Sequence, residues 1–210
     1  MKHITRRIFV PTFALVLISA VCFAFAMQID SIFTSAGRLQ EKKLQGAQPS
    51  TEQSVAMFAV GEHGNIPQSY YDCTVEELQL SGHSLEDAKE LASSILIEKF
   101  SLYQAAIEAD CVPSDEDVSR IIADTRAGIA TAENRSAFYL FLDGTGMTED
   151  EYWDSQFENV KIYEAIANYK AYCHEHYLMT TSDEGSNATW SATWGEIVTT
   201  AIANEHITFS

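Results

Sequence analysis

The chain has 210 residues, of which 46% are hydrophobic and 20% charged, a balance that excludes a disordered chain. Its net charge of −17 is unevenly placed: residues 51–210 carry seven Lys and Arg against 28 Asp and Glu, a local charge of −21. That field repels nucleic acid and anionic lipid, excludes nucleic-acid binding and favours cationic partners.

Lys2, Arg6 and Arg7 precede an apolar run from Ile8 to Ile29. Positive residues stay on the cytoplasmic side, so the C-terminal bulk is delivered to the other. The run is 22 residues long, enough to cross ~30 Å of hydrocarbon as a retained anchor. It is also longer than the roughly 7–15 residues of a signal h-region, yet Ala24-Phe25-Ala26 is an A-x-A cleavage pattern. Residues 1–29 are therefore read as a signal anchor or a cleaved signal peptide, with the length favouring the anchor. Cys22 within the run reads as a membrane-buried apolar side chain, because Val21 is not the small residue that lipoprotein processing prefers.

Residues 30–53, rich in Gln, Ser, Gly and Lys, read as a tether to a single domain over 54–210. Ser54–Val60 predicts a short strand stopped by Gly61 and Gly64. Thr74-Val75-Glu76-Glu77 has the form of a capping box and predicts a short helix to Leu80, closed by Gly82. Ser84 caps the next helix, expected over Leu85–Asp110, with Leu85, Ala88, Leu91, Ala92, Ile95, Leu102, Ala106 and Ile107 as its inner face. Pro113-Ser114-Asp115 starts a third helix lined by Val118, Ile121, Ile122 and Ile129. A fourth spans Arg135–Leu142 and ends at Gly144 and Gly146. Thr148-Glu149-Asp150-Glu151 is a second capping box, opening a helix to about Tyr177 with Tyr152, Val160, Tyr163, Ile166, Ala167 and Cys173 inward. After a polar break at 180–188, a last helix is expected over Ser191–Asn204, and His206–Phe209 alternates like a strand. The fold class is thus mainly α, a helical domain with a small strand pairing at its base.

Chemistry-bearing motifs are sparse. His174-Glu175-His176 is the one cluster that suggests a metal, but neighbouring helix positions point to different sides, so no metal site is assigned. No G-x-S-x-G elbow, P-loop, G-x-G-x-x-G or C-x-x-C occurs, and nothing singles out two carboxylates for acid/base work. No cofactor and no catalytic residue is expected. Cys73, Cys111 and Cys173 allow at most one internal disulfide. If the second helix starts near the strand and the helix from Glu149 returns there, a bridge joins Cys73 to Cys173 and leaves Cys111 free; the alternative is three buried, unpaired thiols.

Aromatic residues exceed what the inner helix stripes hold. Most are expected to form core, and a minority exposed in a concavity would make an apolar groove for extended polypeptide. The candidates are Phe100, Tyr103, Phe138, Phe141, Met147, Trp153 and Phe157.

Three stretches carry a family resemblance. Ile97-Glu98-Lys99-Phe100-Ser101-Leu102-Tyr103-Gln104-Ala105-Ala106 is similar to a long helix ending in a leucine…Gln/Glu-Ala pattern. Cys111-Val112-Pro113-Ser114-Asp115-Glu116-Asp117-Val118 resembles a helix start of the form hydrophobic–Ser–Asp–Glu–Glu–Val. Phe138 to Tyr152, above all Gly146-Met147-Thr148-Glu149-Asp150-Glu151-Tyr152, resembles a Phe…Leu…Gly-Met-Thr-Glu-Glu-Glu-Tyr segment. These belong to the chaperone domain of SurA-like and PrsA-like extracytoplasmic foldases, a domain related to that of trigger factor. The resemblance covers about 54–178 and leaves no room for the parvulin isomerase domain that usually accompanies it. It implies no catalysis, and the holding of unfolded or partly folded exported polypeptides. The expected location is a bacterial cell membrane, single-pass with the domain outside, or the exterior after signal cleavage. A structural or sensory ectodomain that binds one defined protein partner is the alternative.

Overall fold

The computed structural model describes residues 35–40, 56–180 and 187–210. The expected anchor or signal segment, 1–29, lies outside the described residues, as do 30–34 and 41–53 of the expected tether. Residues 35–40, within that tether, are helical. Among the described residues no helix is long and apolar enough to cross a membrane.

Three short antiparallel strands form the base: β1 (Met57–Val60) lies between β2 (Asn65–Pro67) and β3 (Thr208–Phe209). Ala59 pairs with both Ile66 and Phe209. The turn between β1 and β2 closes by a Gly61 N–H bond to the Gly64 carbonyl, 2.7 Å. β2 and the helical start that follows it were not anticipated. Helix α1 is Gln68–Leu80, beginning right after the extended Pro67, so the expected capping box at Thr74 is corrected. Thr74 is instead buried inside the helix, and its hydroxyl donates to the Tyr70 carbonyl, 2.8 Å. A Ser/Thr hydroxyl has that i−4 option wherever the chain is already helical, so its residue type alone does not mark a start.

The remaining starts follow the sequence. Ser84 accepts from the Asp87 amide at the head of α2 (Leu85–Glu108), and Ser114 accepts from the Asp117 amide at the head of α3 (Asp115–Thr131). α4 (Arg135–Thr145) ends in a left-handed Gly146, φ 68°, a conformation that glycine adopts without Cβ strain. Thr148 and Glu151 then form the reciprocal box that opens α5 (Glu149–Ser155).

The single long helix expected from Glu149 is in fact two. At Gln156 the amide is shared between the Tyr152 and Trp153 carbonyls, while Ser155 Oγ also donates to Tyr152 at 2.6 Å. Such back-bonding interrupts a helix, and α6 (Phe157–Thr180) resumes beyond it. The last helix, α7 (Asn187–Asn204), starts earlier than its expected Ser191.

α2 is the central element, with α1, α6 and α7 against it. Its inner face is Ala88, Ala92, Leu96, Ser101, Leu102 and Ala106. The expected inner residues Leu85, Leu91, Ile95 and Ile107 are exposed, a correction to the assigned face. Ala88 and Ala92 meet Val75 and Leu78 of α1, while Leu96 and Phe100 pack on Ala59 and Ile66 of the sheet. The sheet therefore sits against the later half of α2, not at its start. On α6 the fully buried residue is Ala165, whereas Tyr163 and Ala167, expected inward, are exposed.

α3, α4 and α5 build a second, aromatic core. Phe138, Leu142 and Trp153 are buried there, with Ile122, Ile129, Phe141 and Tyr152 around them. Phe138 contacts Tyr152 and Trp153 at centroid distances of 5.6 and 5.8 Å. Burial pushes the Tyr152 hydroxyl up to about 12. Arg126 of α3 reaches Glu149 and Asp150 at the head of α5, 2.9 and 2.7 Å. The helical segment 35–40 docks on this unit: a Cβ on Gly37 would collide with the Phe141 carbonyl oxygen and lie 2.8 Å from Gly144, so only glycine fits.

Thr148→Ala should lower stability by about 1 kcal/mol, the usual cost of a lost cap, measured by denaturant unfolding. The Glu151 carboxyl is held below its ordinary range first by the Thr148 amide and then by its hydroxyl. Its stabilisation is therefore present above the unfolded value and lost as pH falls through the lowered folded value. The Thr148→Ala deficit should shrink in acid; a deficit that stays constant down to about pH 2 would show that the box is not formed.

Candidate functional site

One face of α1 carries depressions that follow from helix geometry. Ser69, Asp72, Cys73, Glu76 and Leu80 recur at spacings of three and four, so they share one face of α1. Two adjoining cavities of about 530 and 380 Å³ lie along that face and share Glu76. The first lies between the end of α1 and the segment 35–40, which supplies Arg38 and Leu39. The second lies between α1 and the start of α2, which supplies Leu85 and Lys89. From Ser69 to Leu80 the groove is about 17 Å long at 1.5 Å per residue.

Its floor is apolar, with Val75 and Cys73 buried and Leu39 closing one end. Leu80 and Leu85 stand on its edge at 40% and 48% exposure, flanking the α1–α2 turn. Asp72 and Glu76 line it among Arg38 and Lys89. The groove thus offers apolar contact area flanked by two carboxylates and two cations, suited to an extended segment with apolar side chains. Among the described residues no three His, Cys, Asp or Glu side chains gather to hold a metal. His174 packs on the Trp190 ring, 4.6 Å, and His176 stacks on Tyr172.

None of the seven residues singled out in the sequence lines this groove. Phe138 and Trp153 are interior and Phe141 half-buried, all three in the aromatic core. Phe100 is half-buried against the β1–β2 turn, its ring 2.8 Å from where a Cβ on Gly64 would lie. Tyr103 is half-buried on α2 near Lys161, and Phe157 is half-buried at the start of α6. Met147 is half-buried, its amide donating to Thr145 Oγ1 at 3.1 Å. Abundance of aromatic side chains, the signal that singles out most of them, is equally satisfied by a core. The residues that do line the groove escape a reading that starts the first helix at Thr74 and places Leu85 inward. The i, i+3, i+4 pattern running back from Leu80 to Pro67 was the available signal.

The cysteines also fall differently. Cys73 is buried on α1, and none of Cys73, Cys111 and Cys173 is in a disulfide. α6 runs in the same sense as α2, with Tyr163 beside Lys99 and Tyr169 beside Glu108 and Cys111. It then turns back as a hairpin with α7, Tyr169 facing Trp194 and Tyr177 facing Trp190. Cys173 therefore lies around Tyr169 together with Cys111, whose carbonyl accepts from Asn168 at 3.1 Å. The expected Cys73–Cys173 pairing and the returning helix behind it are corrected. Burial raises the Cys173 pKa, partly opposed by its bond with Tyr169.

If the aromatic cluster is core and not a binding surface, Trp153→Ala should cost about 3–5 kcal/mol, as large-to-small changes in cores do. Thermal unfolding decides it; a shift of only a degree or two would return Trp153 to the list of surface candidates. No family model, curated protein or solved structure matches this chain.

Proposed function

We propose that this chain is a chaperone-like, polypeptide-binding domain outside a bacterial cell membrane, held there by its N-terminal segment and without catalysis of its own. The observation that carries the reading is the groove along α1, with its largely apolar lining, in a domain of charge −21. At ~3.3 Å per extended residue, 17 Å accommodates about five residues of a client. Cationic clients are drawn in by the domain's field, and apolar side chains supply the affinity once docked. The resemblance to SurA-like and PrsA-like chaperone domains supports the same reading from the sequence.

A second reading, an ectodomain for one defined protein partner, is favoured by the apolar side chains that α6 leaves exposed. Tyr172, Leu178 and Met179 lie on its last three turns, Met179 at 80% exposure. Such a patch suits a fixed interface more than transient holding of many chains.

The full chain in lipid nanodiscs should suppress aggregation of an unfolded, basic model protein. Leu80→Asp and Leu85→Asp should each weaken that binding about tenfold or more, since each removes roughly 1.5–3 kcal/mol of apolar contact. Their exposure predicts little change in melting temperature. No suppression by the parent chain removes the chaperone reading; suppression unaffected by either substitution moves the site off α1.

Salt provides a separate check on the field. Raising ionic strength from low to moderate should raise the melting temperature by relieving self-repulsion, and should slow client capture. A melting temperature that does not move would mean that the charges are locally compensated.

A further inference from the structure

The end of the last helix is fastened to the first turn of the sheet through one buried acid. Glu205, just beyond α7, is 3% exposed. Its Oε1 lies 3.0 Å from His63 Nδ1, and the His63 amide points at Oε2 from 3.4 Å. Its backbone carbonyl accepts from the Glu62 amide at 2.9 Å. A Cβ on Gly61 would stand 2.9 Å from Oε2 and 3.1 Å from the Phe100 ring, so the carboxylate occupies a slot between the turn and that ring. His63 itself is 43% exposed, open to protons from solvent.

A carboxylate withdrawn from water needs compensating donors or a positive charge. Protonated His63 supplies both, whereas neutral His63 supplies a single ring N–H bond. The other ionisable groups facing this site are Glu62 on the turn itself and Glu108 at the end of α2. His206, after α7, lies 3.9 Å from Glu62. Apart from His206 this ring is acidic, so neutralising His63 leaves like charges facing one another across the joint.

We propose that His63 and Glu205 form a pH-operated latch, holding the β1–β2 turn on the end of α7 in acid and loosening that joint as pH rises. The hydrogen bond to Glu205, and then the charges of Glu205, Glu62 and Glu108, outweigh partial desolvation and raise the His63 pKa above its ordinary 6.5. The stabilisation is therefore complete below the unfolded value and lost as pH climbs through the raised folded value. The latch acts where β3 follows α7, so its release frees the closing strand of the sheet along with the turn.

The test uses the full chain in detergent micelles with labelled histidine. His63 should titrate above 6.5, and its midpoint should fall in Glu205→Gln. The melting-temperature gap between the parent and His63→Gln should be larger at about pH 5.5 than at about pH 8.5. Protection of the Glu62 amide, corrected for intrinsic exchange, should drop over the same range. A parent His63 midpoint at or below 6.5 overturns the proposal. So does a melting-temperature gap equal at both pH values, and this second arm stands even if Glu205→Gln fails to fold.

Discussion

The seam of small residues along α2 is the constraint on which the rest of the structure depends. Ala88, Ala92 and Ala106 are fully buried there, and Ala165 and Ala201 play the same part on α6 and α7. Helix axes approach to about 8–10 Å according to the side chains between them. Alanine permits the near end of that range, so α1, α6 and α7 can all gather on one central helix. Close approach at the alanines leaves little room there for larger side chains, so Leu85, Leu91, Ile95 and Ile107 stand at the flanks while Leu96 and Leu102 are buried between the alanine contacts. The edge of the groove is made by this displacement: Leu85 stands beside α1 because Ala88 occupies the contact.

Two cores result, of different chemistry. The first is small-residue packing around α2, with the sheet's Ala59 and Ile66 and the stacked pair Phe58–Tyr71, 4.0 Å between centroids. The second is aromatic, closed by α3, α4 and α5. They are joined by α6, which packs on both α2 and α3, by polar contacts such as Lys161 to Asp115 at 2.8 Å, and by Gly37, whose segment touches α4 while lining a cavity with α1. A segment that follows the expected membrane anchor thus helps to form the proposed binding groove. In that reading, the way the domain is held at the membrane and the shape of its groove are mechanically connected.

The excess of acid shapes how these surfaces work. Many of the carboxylates sit at helix starts, as in Asp115-Glu116-Asp117 and Glu149-Asp150-Glu151, where they complement the helix dipole and so offset part of the self-repulsion of the net charge. Glu205 differs, being withdrawn from water and matched to a histidine. The same composition therefore yields a solvated field suited to cationic clients and, in the proposed latch, an internal joint sensitive to protons.

By itself the sequence determined the helical class, the short strands at both ends of the domain and the helix starts at Ser84, Ser114 and Thr148. These depend on a hydroxyl, an amide three residues on and a nearby acid, all local in the chain. Thr74 marks the limit of that reasoning, because an identical pattern lies inside a helix begun earlier by Pro67. Of the face expected on α2, Ala88, Ala92, Leu102 and Ala106 are buried as the sequence placed them. Only the tertiary structure decided that Leu85, Leu91, Ile95 and Ile107 stand at its flanks and that Leu96 and Ser101 are inside. It also decided that Phe138 and Trp153 are core, that Cys173 sits nearer Cys111 than Cys73, and that Glu205 meets His63 across 142 positions of chain. Local hydrogen bonds are written in neighbouring residues. Grooves, cores and buried ion pairs are set by which helices pack together, and that information is spread over the whole chain.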